Sequence, residues 1–287
     1  MILSFHPLFK ADKNINCAGR APGSDELAQL KAADAVILPQ GCRLDLYAMS
    51  RENCSLVFPN YDARFDYPGK IGQIQLFRQT GVLCPESQAF TDTDMFKMHY
   101  PRLPEDLSFE FPLVFKFDWG GEGETVYLID SDEKLKAIIQ KARAFEYTGQ
   151  KGFLIQEYVP CRRRTLRVIV IGRRHISYWR VQRSRNTFLA NLAQGAQIDT
   201  ESDPDQQVEA VDAVKAFCRR TRIDLAGFDI LFSTKSDQTA PYFLEINYFF
   251  GRRGIGGSEK YYAILVGEIN KWLHQHGLAL ETTAKTV

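Results

Sequence analysis

The stretch "VFKFDWGGEGETVYLI", residues 114 to 129, sets Gly120, Gly121, Glu122, Gly123 and Glu124 between two apolar runs. Each run reads as a β-strand, and the connection is longer and richer in glycine than a hairpin turn requires. Such a loop is either a plain turn or a flap that lies over something. Just upstream, strand alternation puts Leu113, Phe115 and Phe117 on one face and Val114, Lys116 and Asp118 on the other. A lysine on the polar face of a strand is ordinarily solvated. Its place before a glycine-rich loop gives it a second reading, because backbone N–H groups in such loops cradle phosphate oxygens while a nearby ammonium supplies charge. The G-x-x-x-x-G-K-[ST] pattern is absent, which excludes a Walker-type loop.

Charge excludes some partners. Thirty-six Lys and Arg against 35 Asp and Glu leave +1, which argues against a generic nucleic-acid or acidic-membrane binder. The six cysteines are scattered without a C-x-x-C pair, so free thiols in a reducing, cytoplasmic setting are expected. No run approaches the ~18 apolar residues of a membrane span. The start "MILSFHPLF" lacks a basic region and a small-residue cleavage site, and reads as a first strand.

The 287 residues suffice for one large domain or for two to three small lobes. Over residues 1–68 the short apolar runs "AADAVILPQG" and "SLVFPN" between polar stretches suit a small parallel α/β sheet, with "DARFDYPGK" as the linker out of it. Residues 69–160 start with a helix that spaces Ile71, Ile74 and Phe77 along one face and stops at Gly81. Strands "PLVFKF", "TVYLI" and "GFLIQEYV" follow, with a helix over about 131 to 145. Residues 161–287 hold a basic hairpin turning at Gly172, then a helix with Asp203 as N-cap, Pro204 first and Val208, Val211, Val214 and Phe217 on its face. A last hairpin and a helix from about Glu259 complete this part. That helix carries enough apolar surface for core packing or for a homo-oligomer contact. The class is α+β.

The last hairpin, "GFDILF" and "YFLEINYFF", carries the sharpest chemistry. Glu245 and Asn247 share a strand face. A turn about residues 237 to 238 sets Asp229 opposite Glu245 or Asn247, so the three converge while Ile230, Phe232, Leu244 and Ile246 face the core. Two carboxylates and an amide carbonyl are hard oxygen ligands of the kind Mg²⁺ takes before completing its shell with water and phosphate. The plain alternative is the solvated side of a sheet, although asparagine and glutamate are poor strand residues. "FLIQEYV" adds a buried-looking strand that ends in Gln156-Glu157.

The order of these parts resembles the ATP-grasp superfamily, and is most similar to its RimK-like and glutathione-synthetase-like carboxylate–amine ligases. "TGVLCPES", "PLVFKFDWGGEGETVYLI", "FLIQEYV", "LRVIVIG", "NLAQGA" and "GFDIL…YFLEIN" carry the likeness from about Gly69 to Gly257. The resemblance implies two α+β lobes that sandwich ATP, preceded by a shortened α/β domain. It implies that Lys116 contacts the α/β-phosphates, with Lys70 as a second cation. Gly120, Gly121 and Gly123 would be the flap, and Gln156, Glu157, Tyr158 and Val159 the adenine hinge. Asn191 would complete the phosphate side, and Asp229, Glu245 and Asn247 would hold two Mg²⁺, with Mn²⁺ as a substitute. One of Arg167 and Arg180 would hold the acyl phosphate or the oxyanion that follows it.

The chain departs from the family pattern at three places. Thr165-Leu166 precede Arg167 where an acid is expected. Leu189-Ala190 precede Asn191 where an arginine is expected, leaving Arg183 or Arg185 to substitute. Tyr248-Phe249-Phe250-Gly251 stand where Pro-Gly is common, so the acceptor pocket is expected to be unusual. The crowded arginines from Arg162 to Arg185 read either as solvated strand faces and a turn or as a site for an anionic substrate, such as a polycarboxylate, glutamyl peptide or phosphorylated metabolite. The resemblance leaves the amine acceptor an amino acid, peptide or protein. Two rivals to a ligase stay open. One is a non-catalytic Mg-ATP-binding module; the other is an RNA-binding accessory protein that stacks bases on Tyr178 and Trp179.

Overall fold

The computed structural model describes residues 1–121, 123–184, 187–235 and 240–280. It starts with β1 (Ile2–Ser4), β2 (Lys13–Asn14), α1 (Ser24–Lys31), β3 (Ala35–Ile37), α2 (Leu44–Asn53), β4 (Val57–Phe58) and α3 (Asp62–Asp66). The four strands form a parallel sheet in the order β2-β1-β3-β4. The stretch expected as a linker is structured instead: α3 occupies its first half and Ala63 is buried. Apolar Ala63 and Phe65 pay for order by packing on the core beside Tyr61.

Helix α4 (Gly69–Thr80) ends at Gly81, whose φ of 65° needs a residue without a Cβ. Its Phe77 ring lies 5.8 Å from Phe217 and 5.7 Å from Phe243, both far along the chain. The central lobe follows: β5 (Ser87–Phe90), α5 (Thr93–His99), β6 (Leu113–Phe117), β7 (Val126–Ile129), α6 (Asp132–Glu146) and β8 (Phe153–Glu157). Its antiparallel sheet runs β5-β8-β6-β7. Leu113, Phe115 and Phe117 meet Phe153, Ile155 and the apolar stripe of α6 in a core of their own. That burial turns Val114 and Lys116 to the opposite face.

The C-terminal lobe contains β9 (Arg164–Ile171), β10 (Arg174–Val181), β11 (Gln197–Asp199), α7 (Pro204–Thr221), β12 (Leu225–Leu231), β13 (Tyr242–Asn247) and α8 (Ser258–Gln275). Its antiparallel sheet runs β11-β10-β9-β12-β13. Alternate residues of β9 serve two cores: Leu166, Val168 and Val170 pack with α7, Ile169 and Ile171 with α8. Both cores continue into the N-terminal sheet, through Leu3 and Val36 on one side and Ile2 and Ile37 on the other. Apolar packing thus runs across residue 68, and α4 lies against β13 of the C-terminal lobe and β8 of the central one. Helix α8 spends its apolar face on this packing.

Two details of α7 differ from expectation. Val208 is 60% exposed, the buried apolar positions being Ala210, Val214 and Phe217. Asp203 stands at the N-cap without capping, because its carboxylate pairs with Arg164 at 2.5 Å.

Candidate active site

A cleft of about 250 Å³ lies where the exposed face of the central sheet meets the C-terminal sheet. Val114 and Lys116 of β6 line it from one side, and Arg167, Arg180, Asp229, Glu245 and Asn247 from the other. Gln156, Glu157, Tyr158 and Val159 form one end. Gly123 and Asn191 lie on its wall, whereas Lys70, Gly120 and Gly121 are not part of the lining.

The register explains the convergence on the C-terminal side. Asp229 pairs with Glu245 and Gly227 with Asn247 across β12 and β13. The turn about 237 to 238 lies outside the described residues. A register shift follows Asp229, so that Ile230 pairs with Phe243 and Leu244 is the extra residue of a bulge. Leu244 was expected in the core; the bulge swings it into the cleft lining and leaves Phe243 buried in its place.

Asp229 is the most heavily engaged group. Its Oδ1 accepts from Arg167 Nε at 2.5 Å and pairs with Arg180 Nη2 at 2.8 Å, while its Oδ2 accepts from Arg167 Nη2 at 3.1 Å. Asn247 Nδ2 adds a contact at 3.3 Å. Burial pushes the Asp229 carboxyl up, but the two arginines outweigh it and hold it below the usual range. Thr165, where an acid was expected, gives Arg180 a hydroxyl acceptor at 2.8 Å. The close approach needs Gly227, since a Cβ there would sit 2.9 Å from Arg167 Nη1. Glu245 differs sharply from Asp229: among the described residues its carboxylate has neither hydrogen bond nor salt bridge.

Across the cleft, burial lowers Lys116 from 10.5 to about 8, partly offset by Glu245 and Asp229. Lys70 is buried too, and its ammonium donates to the carbonyls of Trp119 at 3.3 Å and Gly120 at 3.1 Å. Desolvation lowers it as well. It braces the root of the glycine-rich loop rather than reaching the cleft. Asp118 fixes the same corner, accepting from Ile71 N at 2.8 Å; a Cβ on Gly69, at φ 68°, would strike that carboxylate. Glu122 lies outside the described residues, and Glu124 is exposed, on a depression it shares with Lys134, Lys141 and Arg163.

At the other end, Gln156 Nε2 donates to Ser87 Oγ at 2.8 Å. Among the described residues no hydrogen bond uses the backbone of Tyr158 or Val159, which leaves two donors and two acceptors beside the apolar side chains of Leu231 and Leu244. Asn191 Oδ1 accepts from Gln194 N at 2.8 Å, capping a short 3₁₀ turn. Of the two expected substitute arginines, Arg183 lines a separate depression, and Arg185 lies outside the described residues. Leu189 fills the wall instead. Tyr178 and Trp179 are buried, so neither offers a face to a nucleic-acid base.

Sequence reasoning missed Gln73. From α4 its carboxamide donates to Ile246 O at 2.9 Å and accepts from Ile246 N at 2.8 Å. It thus covers the free edge of β13 between Glu245 and Asn247. A polar residue in a helix carries no mark of that role in the sequence.

The donor set can be tested against a metal. Among the described residues no three His, Cys, Asp or Glu side chains gather in a group. What converges is two carboxylates, one of them unpartnered, and an amide. That set fits Mg²⁺, which commonly takes one or two carboxylates and draws its other oxygens from water and phosphates. Among the described residues no helix is long and apolar enough to cross a membrane.

Residues 69–270 match the model of the RimK-like ATP-grasp domain. The fold is similar to that of a RimK domain ATP-grasp protein from Sphaerobacter thermophilus, at TM-score 0.58 and 12% identity, over 93% of this chain and 98% of that one. It is similar to the D-alanine–D-alanine ligase of Bacillus anthracis, solved with ATP, at TM-score 0.57 and 15% identity, over 89% and 79%. It also resembles the ADP complex of purK, an N5-carboxyaminoimidazole ribonucleotide synthetase, at TM-score 0.58 and 10% identity; 88% of this chain spans 64% of that one. No curated protein sequence matches. With the family model covering most of its length and the same fold recurring in these structures, this chain belongs to the RimK-like ATP-grasp family.

Proposed function

We infer that this protein is an ATP-dependent ligase that joins a carboxylate to an amine. The observation that carries the reading is the meeting, in one cleft, of Lys116 from the central lobe with Asp229, Glu245 and Asn247 from the C-terminal lobe. In the reaction the carboxylate would attack the γ-phosphorus of ATP, giving an acyl phosphate and ADP. An amine would then attack the acyl carbon, forming the amide and releasing phosphate and a proton.

The chain's own groups suit each part of this sequence. The unpaired backbone of Tyr158 and Val159 would take the edge of the adenine, with Leu231 and Leu244 against its faces. Lys116 would lie along the phosphates, and phosphate charge would favour its protonated form. Glu245 and Asn247 would hold Mg²⁺, sharing Asp229 with the arginines. When bound, the ion neutralises phosphate charge and orients the transferred group. Arg167 and Arg180 are buried, fixed by Asp229, and aimed at the cleft, so they would stabilise the acyl phosphate and the oxyanion without reorganising.

The test is ADP release with a panel of amino acids, dipeptides and acidic peptides, with the products read by mass spectrometry. Substrate-dependent ADP that disappears in Glu245→Ala and without Mg²⁺ is expected. Full activity in either case would reject the site. One observation favours a second reading, a module that binds Mg-ATP without turning it over: both Asp229 oxygens are already engaged by arginines. That reading requires a thermal shift with Mg-ATP and no ADP from any pair in the panel.

A further inference from the structure

Among the described residues, Arg64 is an arginine without an acid. It sits on α3, half-buried, and among the described residues makes no salt bridge. Of its five N–H donors, one is used, Nη1 to the carbonyl of Gln40 at 3.3 Å. Three rings surround the guanidinium: Tyr61 at 5.1 Å, Phe65 at 4.8 Å and Phe249 at 5.0 Å from Cζ to centroid. Cation–π contact holds the charge in place but does not replace the hydrogen bonds it gave up on leaving water. A planar, partly desolvated fork with free donors is complementary to a carboxylate, which it binds through two parallel bonds.

Its location gives that complementarity a purpose. Phe249 lines the cleft with Asn247 and Gly251, so one ring touches both the cleft and Arg64. Phe249 follows Asn247 by two residues, a backbone span of at most ~7 Å. The N-terminal domain is pinned to this loop, with Gln40 Nε2 donating to the carbonyl of Tyr248 at 2.9 Å. Arg252, further along the loop, also has no salt bridge among the described residues and stacks on Tyr261 and Tyr262 at 4.6 and 4.4 Å. The rim is therefore cationic and aromatic, set apart from the groups assigned to phosphate.

We propose that Arg64, framed by Phe249, is the docking point for a non-reacting carboxylate of the amine substrate: the α-carboxylate of an amino acid or the C-terminus of a short peptide. This rests on the ligase reading for the word "substrate", while the binding site stands on its own geometry. Anchored at the rim, such a molecule spans toward Asn247 and directs its amine into the cleft. The unusual Tyr248-Phe249-Phe250-Gly251 segment supplies the ring that makes the site.

Calorimetric titration tests this without turnover. The protein, held with Mg²⁺ and a non-hydrolysable ATP analogue, is titrated with the common L-amino acids and a set of dipeptides, each beside its C-terminal amide. At least one acid is expected to bind about tenfold or more tighter than its amide, the worth of one charge-assisted pair. Arg64→Met should abolish that preference while leaving the analogue's affinity unchanged, and Arg64→Lys, which keeps the charge, should restore part of it. Equal binding of acid and amide, a preference that survives in Arg64→Met, or no binding by any member overturns the proposal. A preference that follows Arg64 in a protein that never forms ADP would reject the ligase reading alone.

Discussion

Asp229 on β12 faces Arg167 on β9 at one register position, and the two close a two-point ion pair at 2.5 and 3.1 Å. Arg180 joins from β10 at 2.8 Å. Removing the acid strands two buried arginines, so Asp229→Ala should unfold more easily by about 3–5 kcal/mol. Glu245→Ala removes a carboxylate that has no hydrogen bond or salt bridge among the described residues, and it should stay within ~0.5 kcal/mol of the parent. Urea titrations of both variants decide the matter. If Asp229→Ala unfolds where the parent does, the arginine pair contributes nothing to the fold. The expected contrast makes Glu245 the better probe of the metal site, because a loss of ADP release there cannot be blamed on misfolding.

Lys116 ties nucleotide affinity to pH. Burial brings it down from 10.5 to about 8, so in the empty cleft it loses its proton as pH rises through that value. A phosphate favours the charged form, so above pH 8 binding must take up a proton and Mg-nucleotide affinity should fall, by up to about tenfold per pH unit. Lys116→Met should bind more weakly and show a flatter profile. Calorimetric Kd values between pH 7 and 9.5 test this; parallel profiles for parent and variant would remove Lys116 from the phosphate site.

Much of this site was legible because strand alternation is a strict rule. Lys116 had to oppose Phe115 and Phe117, and Glu245 had to share a face with Asn247, whatever the tertiary structure. Leu244 escaped the rule because a bulge breaks the period, and no residue type announces one there. Gln73, Gly227 and Arg64 act across long sequence separations, and only packing brings them to their partners. The packing of α4 on the C-terminal lobe was hidden for the same reason: Phe77 meets Phe217 and Phe243 through folding, not through neighbouring sequence.

Gln73 should prove to be a positioning residue. Its two bonds to Ile246 hold the edge strand that presents Glu245 and Asn247. Gln73→Leu keeps the helix but leaves a peptide N–H and C=O unpaired, at a cost of about 1–3 kcal/mol. The apparent Mg²⁺ requirement for ADP release should rise, with the KM for ATP at saturating Mg²⁺ much less affected. A uniform loss of activity at every Mg²⁺ concentration would indicate general destabilisation instead. Gln73→Glu, which keeps an acceptor for Ile246 N but loses the donor, should lie between the two.

Asp224 offers a separate pH test at the joint between the N-terminal sheet and β12. Its Oδ1 accepts from Asn60 N at 2.8 Å, and its own carbonyl accepts from Gly172 N at 2.7 Å. Burial raises its carboxyl from 3.8 to about 7, with Asp62 adding to the rise. Between those values the folded chain holds a proton that the unfolded chain has lost, so this group's contribution to stability falls as pH rises from about 4 to 7. Asp62 itself is shifted below 3.8 and is ionised throughout pH 5 to 8. Asp224→Asn keeps the oxygen acceptor and abolishes the titration. It should therefore be more stable than the parent at pH 8, by a few kcal/mol at most, and gain much less at pH 5. Denaturant midpoints at the two pH values give the answer, and an equal difference at both would place the Asp224 titration outside this window.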